Sequence, residues 1–201
     1  NRQNAVKELS PKVEAVFGLH VRPGRAGEIG YKADGAMASS DQLDIVIRGR
    51  QTHGAVPWAG IDPIVVTAQV VNALQAIVSR QTNLAQAPAV ITIGSMHGGV
   101  RRNIIPDSVV LSGTIRMFDA AMQTEIHERI KRTVSAVAGA WGATASVIIA
   151  RQTPVLVNEP DLTARMLPSL QRYARRAFGD IAWTPSEDFA FFGKRVPSLF
   201  V

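Results

Sequence analysis

Two histidines stand where a folded chain commonly places functional side chains. His53 lies in the segment GRQTHGAVPWAGIDP, a loop rich in glycine and proline between an alternating apolar run and a helical one. Rigid elements hold such a loop at both ends, so its polar residues are candidates for function, with a turn or capping role as the alternative. His20 ends the apolar run VFGLH, just before Pro23 and Gly24. At a strand end of an α/β domain, a histidine is either an active-site ligand or a hydrogen-bonded structural residue.

The composition limits the chemistry that these histidines can take part in. The chain of 201 residues contains no cysteine, which excludes disulfides, thiolate zinc sites and a cysteine nucleophile. Any metal must therefore be held by histidine and carboxylate side chains. The formal net charge is +6, but the basic residues are scattered, so we expect a solvated arginine-rich surface and no nucleic-acid partner. No apolar stretch reaches the roughly 20 residues that span a bilayer, and we expect no membrane partner.

Hydrophobic periodicity predicts the elements that position the loop of His53. From Asp41 to Arg151 it predicts the order strand, helix, strand, strand, helix, strand, which is the ferredoxin-like βαββαβ arrangement of four antiparallel strands with two helices on one face. The two helices are predicted over 61–78 and 122–141, with Gly142 as the C-terminal cap of the second. On the outer face of that second helix, the spacing predicts the ion pairs Glu125/Arg129 and Glu128/Arg132.

The flanks of this arrangement have a different pattern. Alternation over 13–21 predicts a strand that is apolar on both faces, typical of the centre of a larger sheet. Residues 24–40 indicate a linker with one short strand, and the last part of the chain indicates a helix over 161–178, kinked or interrupted at Pro168, then a helix start and a final strand. We therefore predict an α/β outer domain formed by 1–39 and 153–201, with a ferredoxin-like domain over 40–152 inserted between its two parts.

Five short motifs occur in order along this framework. They are VFGLHV with His20, THGAVP with His53 and IDP behind it, GGVRRNIIPD with Asn103, GTIRMF with Arg116, and SEDFAFF with Glu187. Together they resemble the M20 family of metallopeptidases and amidohydrolases, in particular the branch that hydrolyses N-acyl amino acids, such as hippurate hydrolases and auxin-conjugate amidohydrolases. The resemblance covers nearly the whole chain. It implies a zinc-peptidase-like α/β catalytic domain with a pair of divalent metal ions and an inserted lid domain that also dimerises.

The resemblance implies roles for three of the matched residues at an active site. His20 is expected to be a metal ligand, with zinc, manganese or cobalt as the ion. His53 and Asn103 are expected to reach the active site of the partner subunit and to stabilise the oxyanion of a tetrahedral intermediate. The expected assembly is therefore a homodimer joined through the lid domain.

The other polar residues of the motifs keep two interpretations each. Arg116 either pairs with a substrate carboxylate or is a structural arginine on a strand face. Glu187 either acts in the active site or caps the start of a helix. His97 and His127 match nothing functional, and we expect a turn residue at a strand end and a member of a solvated helix face, respectively.

The motifs cover only part of such an enzyme. The family's first metal ligands and its paired glutamates, which include the general base, have no counterpart here, and its last metal-binding histidine would follow Val201. We therefore expect sequence to be missing at both ends and the chain to be inactive by itself. For the complete protein we expect metal-dependent hydrolysis of the amide bond of an N-acyl amino acid or small peptide. We expect a cytoplasmic location, with a periplasmic or secreted one left open.

Two other functions are compatible with part of the pattern. A non-catalytic dimerisation or binding module would have the same fold, and metal-dependent hydrolysis by the protein with its upstream sequence restored would separate it from the enzyme. An RNA-binding domain shares the βαββαβ order, but it stacks bases on aromatic side chains of its central strands. The corresponding strands here offer Ile91, Ile93, Leu111 and Ile115.

Overall fold

The computed structural model describes residues 12–179 and 182–201, so residues 1–11 of the predicted first segment lie outside the described residues. The chain divides into two compact units. The flanking unit combines the residues up to 40 with those from 153 onward, and the inserted unit comprises residues 41–152.

In chain order the elements are β1 Val16–Gly18, β2 Glu28–Tyr31, β3 Asp34–Met37, β4 Ser40–Arg48, β5 Thr52–His53, a 3-10 helix Pro57–Ala59, α1 Pro63–Gln81, β6 Ala89–His97, β7 Ile104–Ile105, β8 Ser108–Met117, α2 Ala120–Ala140, β9 Thr144–Thr153, β10 Leu156–Asn158, α3 Pro160–Tyr173, β11 Arg176–Gly179, α4 Ala190–Gly193 and β12 Ser198–Phe200.

The inserted unit has the predicted ferredoxin-like fold. Its sheet has the order β6-β8-β4-β9, in which β8 pairs antiparallel with both β4 and β6. The strands alternate buried and exposed residues, and α1 and α2 pack against each other and against β8. The core between sheet and helices consists of fully buried aliphatic side chains. Among them are Leu43, Ile45, Ile47, Leu74, Ile77, Leu111, Ile115, Ile126 and Ile130.

The ends of both helices follow from the local sequence. Asp62 precedes α1 and accepts a hydrogen bond from the N–H of Ile64 at 2.9 Å, while Asp119 accepts one from the N–H of Met122 at 2.7 Å and begins α2. Gly142 has a φ of +72°, and the N–H of Ala143 donates to the carbonyl of Ala138 at 3.0 Å. This is the Schellman arrangement, so the prediction that Gly142 caps α2 is confirmed.

The surface of α2 differs from its prediction at two positions. The Glu125/Arg129 pair is confirmed, but Glu128 pairs with Lys131 at 2.9 Å instead of with Arg132. The hydrogen bond from Lys131 and its positive charge hold the pKa of Glu128 below its usual value. The prediction for His127 was wrong: the residue is only 6% exposed. It lies on the sheet side of α2, where its ring contacts the buried carboxylate of Asp41 in β4.

The flanking unit is built from three strand pairs and two helices among its described residues. β1 pairs with β12 and β2 with β11, both in parallel, while β3 pairs antiparallel with β10. Asn158, the last residue of β10, is fully buried and links neighbouring segments through its side chain. Its side chain donates to the carbonyls of Lys32 and Phe200 and accepts from the N–H of Phe200 at 2.7 Å.

Four predictions for the flanking unit need correction. β1 is shorter than predicted and is not buried on both faces, since Phe17 is 54% exposed and β12 is its neighbour among the described strands. The predicted linker contains β2, as expected, but also β3. The predicted helix over 161–178 ends at Tyr173 and continues through Pro168, and the residues after it form β11 because they pair with β2. The predicted helix start near Ser186 is displaced to Ala190.

Candidate functional site

In the flanking unit the structure brings His20 and Glu187 together. His20 follows β1, where its N–H donates to the carbonyl of Val201 at 2.9 Å and its ring lies 6.4 Å from that of Phe200. The Nδ1 atom of His20 is 3.3 Å from Oε2 of Glu187. The other oxygen of Glu187 accepts from the N–H of Phe189 at 3.4 Å. The carboxylate therefore fixes the orientation of the imidazole and leaves its Nε2 atom as the one available to a ligand.

The side chains of His20 and Glu187 are of the kind that bind metal ions, but two ligands are too few to hold one. Imidazole nitrogen and carboxylate oxygen are ligands that zinc, manganese and cobalt take, and a carboxylate on the second ring nitrogen is the usual support of a metal-bound histidine. In residues 12–179 and 182–201, however, no group of three or more histidine and carboxylate side chains is close enough to hold an ion. The described residues thus offer donors of a suitable kind at His20 and Glu187 but do not by themselves form a complete donor set.

The cavity beside His20 is lined by polar, aliphatic and aromatic residues of the flanking unit. Its volume is about 570 Å³, and its lining includes the run from Leu19 to Lys32 together with Phe178, Trp183 and Phe200. The guanidinium of Arg22 lies 4.2 Å from the centroid of the Trp183 ring, a cation–π contact that fixes one wall. His20 thus faces a defined concave surface rather than an open strand end.

In the inserted unit, His53 and Asn103 lie side by side at the end of an extended ribbon. The β4–β8 ladder ends at the pair Arg48 and Ser108, and β5 and β7 continue it outward, with His53 opposite Ile104. The N–H of Gly54 then donates to the carbonyl of Asn103 at 2.7 Å. Both His53 and Asn103 are exposed. These two short strands have no signal of their own in the sequence, and they hold two residues from distant motifs next to each other.

The hydrogen bonds of this loop determine which nitrogen of His53 is a donor. The N–H of Ala55 donates to Nδ1 of His53 at 3.1 Å. Because Nδ1 is an acceptor, the neutral ring carries its proton on Nε2, which points away from that contact. His53 therefore presents an N–H donor at an exposed tip, next to an asparagine whose amide is a second donor.

Arg116 lies far from this tip within the same unit. It stands opposite Val90 near the end of β8, whereas the ribbon of His53 and Asn103 extends beyond Ser108 at the other end. At about 3.3 Å per residue, Ser108 and Arg116 are roughly 26 Å apart along the strand. The Nη1 atom of Arg116 is buried and has no hydrogen-bond partner among the described residues. A buried cationic nitrogen without a partner is costly, and an anionic ligand would satisfy it.

The inserted unit has the fold of a peptidase dimerisation domain, and the family profile of that description matches residues 36–142. The chain belongs to the M20 peptidase family. This confirms the resemblance seen in the five motifs. The profile covers the tip residues His53 and Asn103 as well as Arg116, whereas His20 and Glu187 lie outside it.

Known relatives resemble the chain over nearly its whole length. N-acetyl-L-cysteine deacetylase of Bacillus subtilis is 33% identical over 94% of this chain and 45% of its own length. Thermostable carboxypeptidase 2 of Saccharolobus solfataricus is 32% identical over 94% of this chain and 48% of its own length. The chain spans about half the length of these curated relatives.

Solved structures lead to the same family. The YXEP protein of Bacillus subtilis, described as a dinuclear metal binding peptidase of the M20 family, is 27% identical to this chain and superposes with a TM-score of 0.78. The match covers 94% of this chain and 48% of that protein. Both described units of the chain therefore have counterparts in a known M20 fold.

Among the described residues, no helix combines the length and the apolar character that a membrane span requires.

Proposed function

We propose that the complete protein is a metal-dependent hydrolase that cleaves the amide bond of N-acyl amino acids or small peptides, and that this chain contributes its lid and part of its catalytic domain. The observation that carries the proposal is the exposed pair of His53 and Asn103, held next to each other by β5 and β7. Two neutral donors fixed at an exposed tip suit the negative oxygen that develops when an amide carbonyl is attacked. The names of the relatives, a deacetylase and a carboxypeptidase, support the same bond type.

The position of Arg116 supports a dimeric active site. A small N-acyl amino acid has one carboxylate and one scissile carbonyl, which are separated by only a few bonds. Within one inserted unit, Arg116 and the tip are too far apart to contact both groups of one substrate. If Arg116 binds the carboxylate and the tip binds the carbonyl oxygen, the two must come from different protomers of a homodimer. The peptidase dimerisation profile supports this assembly.

The flanking unit would supply part of the metal centre. His20, oriented by Glu187, would hold a divalent ion through Nε2. When bound, the metal ions supply Lewis-acid polarisation of the scissile amide and activation of water at neutral pH. The described residues do not complete the donor set, so we expect hydrolysis from the complete protein and none from this chain by itself.

The test is release of amino acid from N-acetyl and N-benzoyl amino acids by this chain and by the product of the complete coding sequence, each with Zn²⁺, Mn²⁺ or Co²⁺. We expect metal-dependent release from the complete protein only. His53→Ala should lower its kcat by about 10²–10³, because one oxyanion donor is lost. His97→Ala is the matched control, since His97 is also an exposed histidine of the inserted unit and lies at the end of β6. Absence of metal-dependent release from the complete protein would refute the proposal.

A further inference from the structure

Trp58 is an exposed aromatic residue beside the His53 tip. Its side chain is 80% exposed, although tryptophan is among the residues that bury most of their surface in folded proteins. It lies in the 3-10 helix Pro57–Ala59, which contacts β5, the strand that contains His53. The sequence motifs single out the histidine of this loop and give no signal for the tryptophan, because exposure cannot be read from the residue type.

The turn that carries Trp58 is rigid. The N–H of Val56 donates to the carbonyl of His53 at 2.8 Å, and the hydroxyl of Thr52 donates to the carbonyl of Val56 at 3.2 Å. Arg50 and Ile61 close the loop through two backbone hydrogen bonds of 2.9 and 3.0 Å. An indole held out by a fixed turn loses little conformational entropy when it binds a ligand. Trp58 can therefore contact a ligand with little loss of conformational entropy.

The turn also limits the distance between Trp58 and His53. Its hydrogen bond brings the Cα atoms of His53 and Val56 within about 7 Å of each other. Trp58 is two residues further along, so its Cα lies within roughly 14 Å of that of His53. The side chains of both residues are long enough for one small molecule to contact the two of them.

We propose that Trp58 determines acyl-group specificity by packing its indole against the acyl chain of the substrate whose carbonyl oxygen His53 and Asn103 hold. The acyl carbons are bonded directly to that carbonyl, which places them next to the tip. The carboxylate of the substrate is anionic and suits Arg116, whereas the uncharged face of an indole suits an apolar or aromatic group. The substrate class is thus N-acyl amino acids with a large apolar acyl group, preferred over N-acetyl amino acids. This inference rests on the proposed hydrolytic function.

The test compares kcat/KM of the complete metal-loaded protein for N-benzoyl-alanine and N-acetyl-alanine, which differ only in the acyl group. Trp58→Ala is expected to lower kcat/KM about tenfold for the benzoyl substrate and less than about threefold for the acetyl substrate. Trp58→Phe keeps an aromatic face and should retain most of the discrimination. Leu84→Ala is the matched control, because Leu84 is 48% exposed in the same unit but follows the far end of α1, about 28 Å along the helix from its start.

The outcomes separate failure of this inference from failure of the proposed function. If the unaltered protein hydrolyses both substrates and Trp58→Ala lowers both equally, the tryptophan has no role in acyl selection and the inference is overturned. The same holds if the loss coincides with dissociation of the dimer, which would make Trp58 a subunit contact. If the unaltered protein hydrolyses neither substrate with any of the three metals, the proposed function fails and the inference with it.

Discussion

Asp41 accepts hydrogen bonds from two side chains of α2 inside the inserted unit. Its carboxylate is 2.7 Å from Nε2 of His127 and 2.8 and 2.9 Å from Nε2 of Gln123, and all three residues are buried. Asp41→Ala leaves both donors without an acceptor and without access to water. We expect the free energy of unfolding to fall by about 3 kcal/mol, measured by urea denaturation of the chain.

Asp44→Ala is the control for that substitution. Asp44 lies on the same strand but on its solvent face, where it accepts from the hydroxyl of Ser112 at 2.7 Å. Water can replace this partner, so the expected loss is below about 1 kcal/mol. Equal losses for the two variants would contradict the assignment of Asp41 as the acceptor of a buried polar cluster.

The contrast between His53 and His127 shows what the sequence can predict at the scale of one residue. His53 stands between glycines and prolines, and its motif matches a family, so its exposed position was predictable, although its place in β5 was not. The apolar stripe of α2 predicts a solvated position for His127, because a histidine does not count toward an apolar pattern. Its spacing from Ile130 and Val134 places it on the edge of that stripe, and the missing information was its partner Asp41, which is distant in sequence.

At the scale of one element, the turn that carries Trp58, between β5 and α1, depends on close packing at Gly60. A Cβ at this position would lie 2.5 Å from Cγ2 of Thr52 and 2.6 Å from the carbonyl oxygen of Arg50. We expect Gly60→Ala to destabilise the inserted unit by about 1–3 kcal/mol, as overpacking does elsewhere. Thermal or urea denaturation measures this change.

Gly139→Ala supplies the comparison, because Gly139 lies inside α2 and a Cβ there would contact nothing within 4 Å. Alanine is the better helix former, so this variant is expected to be more stable by about 0.5–1 kcal/mol. If Gly60→Ala leaves the midpoint unchanged or raises it, the packing argument for Gly60 is wrong.

Elements whose own sequence contains a hydrophobic period and capping residues were predicted. Elements that form only by pairing with a distant segment were not. α1 and α2 have periodic stripes and capping residues, and both were found within a few residues of their observed ends. β11 was predicted as the continuation of a helix, because its pairing with β2 is not encoded locally. β5 and β7 are two residues long and exist only because the β4–β8 ladder continues past Ser108, so no local pattern indicates them.

At the scale of the whole molecule, the wide separation of Arg116 from the tip predicts complementation between two inactive variants of the complete protein. In a homodimer of the proposed kind, each active site uses Arg116 of one protomer and His53 of the other. His53→Ala and Arg116→Ala homodimers should each lack activity, since every site is defective. A mixed dimer, however, contains one site with both residues intact and one site with neither.

Refolding the two variants together in equal amounts should therefore restore about a quarter of the wild-type activity, because half of the dimers are mixed and one of their two sites is complete. The measurement is metal-dependent hydrolysis of an N-acyl amino acid before and after subunit exchange, with the fraction of mixed dimer determined by differential tagging. A His53→Ala chain mixed with an Asn103→Ala chain is the control, since both lesions lie on the same tip and each site would contain one of them. Recovery in that control, or none in the first mixture, would show that the residues of a site are not divided between protomers in this way.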